Sequence, residues 1–169
     1  MESFLERYIR EKVLAWSSEI EQLSSFARTQ PQAAYAAFRH GLSHRWTYLM
    51  RVMSVKDNLL QPLENVIRQK FLPALTGQAP CNDQVRCLLA LPPKHGGLGI
   101  ADPSTMAQTQ HSASAIVCKP LIEAILGKES SPIEVRAKQR HLKNEQRKKR
   151  RKEQADFAQS LISDCSQDM

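Results

Sequence analysis

The chain has 169 residues, of which 41% are hydrophobic and only 6% aromatic. This length suits one ordinary domain, and the scarcity of aromatic residues favours helices over sheets. There is no run of 18 apolar residues and no apolar segment at the N-terminus, so we expect neither a membrane-spanning helix nor a secretory signal peptide. The net charge of +7 is local, because residues 136–152 carry ten of the 24 basic residues and a single acid.

Two amphipathic helices are predicted before residue 54. The first covers residues 3–27, begins with a capping box of Ser3 and Glu6, and has this apolar stripe: Leu5, Ile9, Val13, Trp16, Ile20, Leu23 and Ala27. The second runs from Pro31 to Met53, and its apolar stripe comprises Tyr35, Phe38, Leu42, Trp46, Leu49 and Met53. Gly41 lies in the middle of this helix and costs about 1 kcal/mol relative to alanine. We expect close packing against another helix to explain its presence.

A third helix is predicted over residues 56–72, with Pro73 and Gly77 marking its exit. A short helix follows with Asn82 as its cap, and we expect it to face Val85, Leu88 and Leu89 inward. Residues 94–100 contain three glycines. They lack the strand and the spacing of a phosphate-binding loop, so a chain reversal is the better interpretation.

Two further helices complete the pattern. Asp102 and Pro103 begin the first, and Gly127 stops it. Ser131, Pro132 and Glu134 begin the second, which has so few apolar residues that we expect it to project from the body or fray. The predicted fold is all-α: an irregular antiparallel helical bundle over residues 3–127, then a long, protruding basic helix and tail over residues 128–169, partly disordered at the end.

No catalytic, cofactor-binding or metal-binding site is predicted. No local signature of a nucleophile surrounds any serine. The spacings of Cys81, Cys87, His95, His111 and Cys118 match no common zinc pattern. The cysteines form no CxxC pair, which is typical of free thiols in a reducing, intracellular compartment.

The basic helix is the candidate site. Ten cations at this density attract nucleic-acid phosphates and release counterions on binding: Arg136, Lys138, Arg140, Lys143, Arg147, Lys148, Lys149, Arg150, Arg151 and Lys152. No aromatic residue interrupts this run, so we expect phosphate contacts that are insensitive to base sequence. The same run fits a nuclear import signal, and a solvated helix without a specific role is a further alternative.

Three sequence blocks occur in a recognisable order. The first is Gln30–Phe38 with His40–Ser43 and Trp46–Tyr48; the second is Gln61–Glu64 with Phe71–Gly77; the third is Leu89–Pro92 with His95–Ile100 and Asp102–Ser104. Together they resemble the region that follows the polymerase domain in retrotransposon reverse transcriptases. The blocks cover residues 30–104, and the tail is similar in character to about residue 150.

The resemblance implies a helical, thumb-like connecting region that helps to hold RNA or an RNA–DNA duplex. It also implies a fragment without enzymatic activity, because none of the catalytic motifs of the polymerase palm occurs in the chain. The missing polymerase domain is a further expected partner. The competing hypothesis is a helical interaction module that docks on a missing partner domain through Leu5, Ile9, Val13 and Trp16, with the basic run serving only for nuclear import.

Overall fold

The computed structural model describes residues 3–127 and 131–167, and all regular secondary structure in these ranges is helical. The elements are α1 (Phe4–Ala27), α2 (Pro31–Ala37), a π-helical turn (Phe38–Leu42), α3 (Ser43–Val52), α4 (Asp57–Val66), a second π-helical turn (Ile67–Phe71), α5 (Leu72–Thr76), α6 (Asp83–Ala90), a 3₁₀ turn (Pro93–His95), α7 (Pro103–Ile125) and α8 (Pro132–Gln167). The predicted all-α class is confirmed. Among the described helices, none has the length and apolar character needed to cross a membrane.

The predicted helix starts are confirmed in detail. Ser3 and Glu6 form a reciprocal capping box, and Ser131 and Glu134 form another at the start of α8. The side chain of Asn82 accepts a hydrogen bond from the backbone N–H of Val85 at 2.8 Å. Each cap satisfies a backbone donor that the first helical turn leaves unpaired, which is why these starts were readable from local sequence.

The first three long segments form an up-down-up bundle. Lys56, just before α4, contacts Glu6 at the start of α1 at 2.6 Å, and Lys70, near α5, contacts Glu21 towards the end of α1 at 2.7 Å. These matched ends show that α1 and the α4–α5 segment run parallel. The α2–α3 segment lies between them in the chain and runs in the opposite direction, as short connections between helices require.

An aromatic cluster forms the centre of this bundle. The rings of Phe38 and Phe71 stack with centroids 4.6 Å apart, and Trp46 packs edge-on against Phe38 at 5.7 Å. Trp16 lies 6.0 Å from Trp46, and both indoles are buried. The two tryptophans therefore belong to the core, as their positions on the apolar stripes predict.

Two expectations about helix breakers were wrong. Gly41 is exposed, and a Cβ atom added there would meet nothing within 4 Å, so no helix packs closely against it. Pro73 does not end its helix, which continues to Thr76. The other predicted exit residue, Gly77, does end it, with φ of 70°. Proline is tolerated in the first turn of α5 because the preceding π-helical turn already interrupts the regular α-helical hydrogen-bond ladder.

The glycine-rich connection is a chain reversal that packs against the body. Three consecutive carbonyl oxygens accept hydrogen bonds from side chains of other elements: the Tyr35 hydroxyl donates to Leu98 at 2.6 Å, Arg39 to Gly99 at 2.6 Å, and Arg86 to Ile100 at 2.7 Å. Buried carbonyls without such partners would be costly. The loop is therefore fixed by helices that lie far away in the sequence.

The expected orientation of α6 was only partly right. Leu89 packs against the core as predicted, but Val85 and Leu88 are exposed, whereas Arg86 is buried. The Arg86 guanidinium forms a bidentate pair with Glu64 of α4, at 2.6 and 2.7 Å. Burial raises the pKa of Glu64, and the hydrogen bonds and charge of Arg86 lower it by less. The inward face of α6 therefore carries this ion pair together with Leu89, and not the predicted stripe of three apolar residues.

Candidate nucleic-acid interface

The basic helix α8 lies along the body instead of projecting from it. It packs antiparallel to α7, and it also contacts α6. The Gln139 side chain donates to the carbonyl oxygen of Val117 on α7 at 3.4 Å. The prediction of a protruding helix is corrected accordingly, although the division of the chain at residue 128 stays a prediction. Residues 168 and 169, which belong to the tail expected to be disordered, lie outside the described residues.

A sparse stripe along α8 explains this packing. Val135 and Ala158 are buried, and the side chains between them that face the body are half-buried: Gln139, Leu142, Gln146, Gln154 and Ala155. The positions repeat mostly every three or four residues, as helix packing requires. Glutamines occupy three of them, and the Gln139 amide donates a hydrogen bond to the backbone of α7. A pattern of apolar residues alone therefore does not reveal the stripe.

The cationic run 147–152 lies between two packed segments of α8. Every residue from 147 to 153 is exposed, whereas Gln146 before it and Gln154 after it are half-buried. Because α8 is one continuous helix of 36 residues, the packing on both sides fixes the position of the run. The cations therefore lie on a helix that is packed before and after the run.

All ten predicted cations are exposed. From Arg136 to Lys152 they extend over about 24 Å, at 1.5 Å per residue. Within the described part of the chain, the only ion pair that involves one of them joins Lys149 to Glu153 at 3.9 Å. The array thus keeps almost its full positive charge available for an external anion.

A cleft of about 900 Å³ lies between α7 and α8. Its α8 wall carries Lys143, Arg147, Lys149 and Arg150, and Arg51 of α3 reaches it from the body. The Nε atom of Arg51 donates to the side-chain oxygen of Gln110 on α7 at 3.1 Å. The sequence contained no signal that joins Arg51 to the basic run, because 92 positions separate it from Lys143 and only the fold brings them together.

The other candidate residues do not form a second site. Among the described residues, no three histidine, cysteine, aspartate or glutamate side chains come together in a way that could hold a metal ion. Of the proposed docking anchors on α1, Ile9, Val13 and Trp16 are buried in the core, and only Leu5 is partly accessible. The α1 stripe is thus unavailable to a partner, since it already packs against the other helices of the bundle.

Comparison of the chain with protein-family models, with curated proteins and with solved structures finds no match. The function proposed for this chain therefore depends on its own residues and geometry, together with the sequence resemblance described above.

Proposed function

We propose that this chain binds nucleic acid through sequence-independent phosphate contacts, as a non-catalytic part of a retroelement reverse transcriptase. The observation that carries the proposal is the array on α8: ten exposed cations, nearly all without an acidic partner among the described residues, on a helix anchored to the body at both sides of the run. A fixed array loses less conformational entropy on binding than a flexible tail would. Intracellular and nuclear location belongs to the same proposal.

The three blocks of the reverse-transcriptase resemblance support it by their arrangement. Tyr35 of the first block donates to the carbonyl oxygen of Leu98 in the third. Glu64 of the second block binds Arg86, which in turn donates to Ile100 of the third. Blocks that meet in this way belong to one folded unit, which is the behaviour expected of a connecting region beside a polymerase domain.

The binding of a labelled RNA–DNA duplex across a salt series tests the proposal. We expect the logarithm of the affinity of the intact chain to fall steeply with the logarithm of salt concentration. Replacement of Arg147–Lys152 by alanine should flatten this slope by about 0.9 for each phosphate that is no longer neutralised. Substitution is preferable to truncation, because removal of α8 would uncover the face of α7 against which it packs.

Two results would contradict the proposal: affinity that does not change with salt, or an alanine variant with the slope of the parent chain. The control replaces the four cations Arg7, Arg10, Lys12 and Arg28 by alanine, which lie on α1 or directly after it. Its counterpart with equal loss of charge is a variant that replaces only the four cations Lys149–Lys152. Circular dichroism of each variant checks that helical content is retained. The control should keep the slope, whereas a general loss of positive charge would flatten it in both variants.

A protein-interaction module is the second candidate function. One observation favours it: the end of the α7–α8 hairpin exposes large apolar side chains, namely Leu121, Ile122, Ile125, Leu126 and Ile133. Contiguous exposed apolar surface of this kind marks interaction sites. Weak, salt-insensitive nucleic-acid binding together with concentration-dependent self-association would favour this function over the first, and the anchors would lie on the hairpin end and not on α1.

A further inference from the structure

The cleft between α7 and α8 divides the cations of the candidate site into two groups. Lys143, Arg147, Lys149 and Arg150 line the cleft, together with Arg51 from α3. The remaining six cations of α8 do not line it: Arg136, Lys138, Arg140, Lys148, Arg151 and Lys152. One acid, Glu153, also lines the cleft, so the formal charge of its walls is +4. The two groups carry the same kind of charge and differ in their surroundings.

The α7 wall of the cleft combines polar and apolar side chains and has no aromatic ring. It presents the hydroxyls of Thr109, Ser112 and Ser114 and the amide of Gln108, and none of these side chains has a hydrogen-bond partner within the described ranges. Hydroxyls and amides are common donors to phosphate and sugar oxygens. Single strands are typically held by bases stacked on aromatic side chains, and none of the residues lining the cleft is aromatic.

Arg51 gives the cleft a cation on its body side. Its Nε donates to Gln110, whose side chain is largely buried. This contact orients the guanidinium and leaves its two terminal nitrogens without a partner among the described residues. A planar guanidinium with free terminal N–H groups matches the geometry of a phosphate. The cleft therefore has phosphate donors on both of its sides, whereas the outer face of α8 has them on one.

We infer that the cleft between α7 and α8, and not the outer face of α8, binds the sugar–phosphate backbone of one strand of a nucleic-acid duplex. This inference rests on the proposed function, and it names where on the basic helix the ligand lies. The cations of α8 and Arg51, together with the neutral donors of α7, contact successive phosphates of one strand. The outer cations add only long-range attraction, which salt screens.

Two triple variants with equal loss of charge test the inference. One replaces Lys143, Arg147 and Arg150 of the cleft by alanine, and the other replaces Lys148, Arg151 and Lys152 of the outer face. With a labelled RNA–DNA duplex at fixed salt, we expect the affinity of the cleft variant to fall about tenfold or more below that of the outer variant. Its salt slope should drop by about 2.7, at about 0.9 for each of three phosphates. Arg51→Gln should weaken binding in the same direction, although Arg51 lies outside the basic helix.

A gain of affinity provides a second measurement that loss of folding cannot imitate. Glu153→Gln removes the acid in the cleft, and Glu145→Gln removes an acid of the same helix that does not line it. Each glutamate has a partner four residues before it, Lys149 for Glu153 and His141 for Glu145, so the two sites share their spacing on the helix and differ in the partner. We expect Glu153→Gln to tighten binding several-fold more than Glu145→Gln, because the repulsion of a phosphate falls with distance.

The outcomes separate this inference from the function on which it rests. If the parent chain binds with a steep salt slope but both triple variants lose affinity equally, the cleft is not the binding site of the strand, and the proposed function stands. Equal effects of the two glutamate substitutions would overturn the inference in the same way. If the parent chain does not bind the duplex at all, the proposed function itself fails.

Discussion

Replacement of Arg86 by methionine is expected to lower the free energy of unfolding by about 3–5 kcal/mol, because it leaves the Glu64 carboxylate buried without its partner. Both side chains of the pair are almost fully buried, at 6% and 5% relative exposure. Arg86 also donates to the carbonyl oxygen of Ile100, which would lose its side-chain donor. Urea unfolding followed by circular dichroism measures the change through the midpoint and the slope of the transition.

The matched control is Arg45→Met, which breaks the pair with Glu19 on the surface. That pair has a similar distance of 2.6 Å, but its side chains are 53% and 39% exposed, so the loss should be below about 1 kcal/mol. The double variant Arg86→Met with Glu64→Leu should recover most of the loss, since burial of the charges is itself costly. Equal effects of Arg86→Met and Arg45→Met would contradict this account of the buried pair.

Replacement of Gly97 by alanine is expected to destabilise the chain by about 3 kcal/mol, the upper part of the range for overpacking. A Cβ atom at this position would lie 2.1 Å from the carbonyl oxygen of Leu91 and 2.4 Å from that of Leu88. Both obstacles belong to the backbone, so no side chain can move aside to make room. The loop would have to shift, and with it the hydrogen bonds of Tyr35 and Arg39 to the neighbouring carbonyls.

Gly41→Ala is the control for that substitution. It makes the same chemical change in a helical segment where the added methyl group meets nothing within 4 Å, and alanine is the better helix former by about 1 kcal/mol. We therefore expect thermal unfolding to shift upwards for Gly41→Ala and downwards for Gly97→Ala. A downward shift of similar size in both variants would show that Gly97 is not singled out by its close backbone neighbours.

The two stability experiments also bear on the proposed function. The buried pair and the glycine-rich loop hold α4, α6 and the start of α7 together, and α7 forms one wall of the cleft. Variants that loosen this connection should weaken duplex binding without any loss of positive charge from α8. Loss of a phosphate-binding cation lowers the slope of log affinity against log salt by about 0.9. A displaced cleft wall lowers the affinity while every cation of α8 is retained, so the salt slope distinguishes the two causes.

The local features of the chain were predictable from its sequence. Capping side chains act within three residues of the helix start, and the apolar stripes of α1 and α2–α3 repeat at a helical period, so both depend only on near neighbours in the chain. The all-α class, the capping boxes at Ser3 and Ser131, and the burial of Trp16 and Trp46 followed from these patterns. The density of cations between Arg136 and Lys152 was likewise a property of sequence alone.

Only the tertiary structure decided where polar residues are buried and where the basic helix lies. Arg86 faces inward because Glu64, 22 positions earlier, provides its counter-charge, and no local pattern encodes such a partner. The packing of α8 depends on a stripe partly made of glutamines, which hydrophobic periodicity does not detect. Arg51 joins the cations of α8 through the contact of α3 with α7. Charge and helix type are local properties, whereas a cleft requires two surfaces that the chain brings together only when it folds.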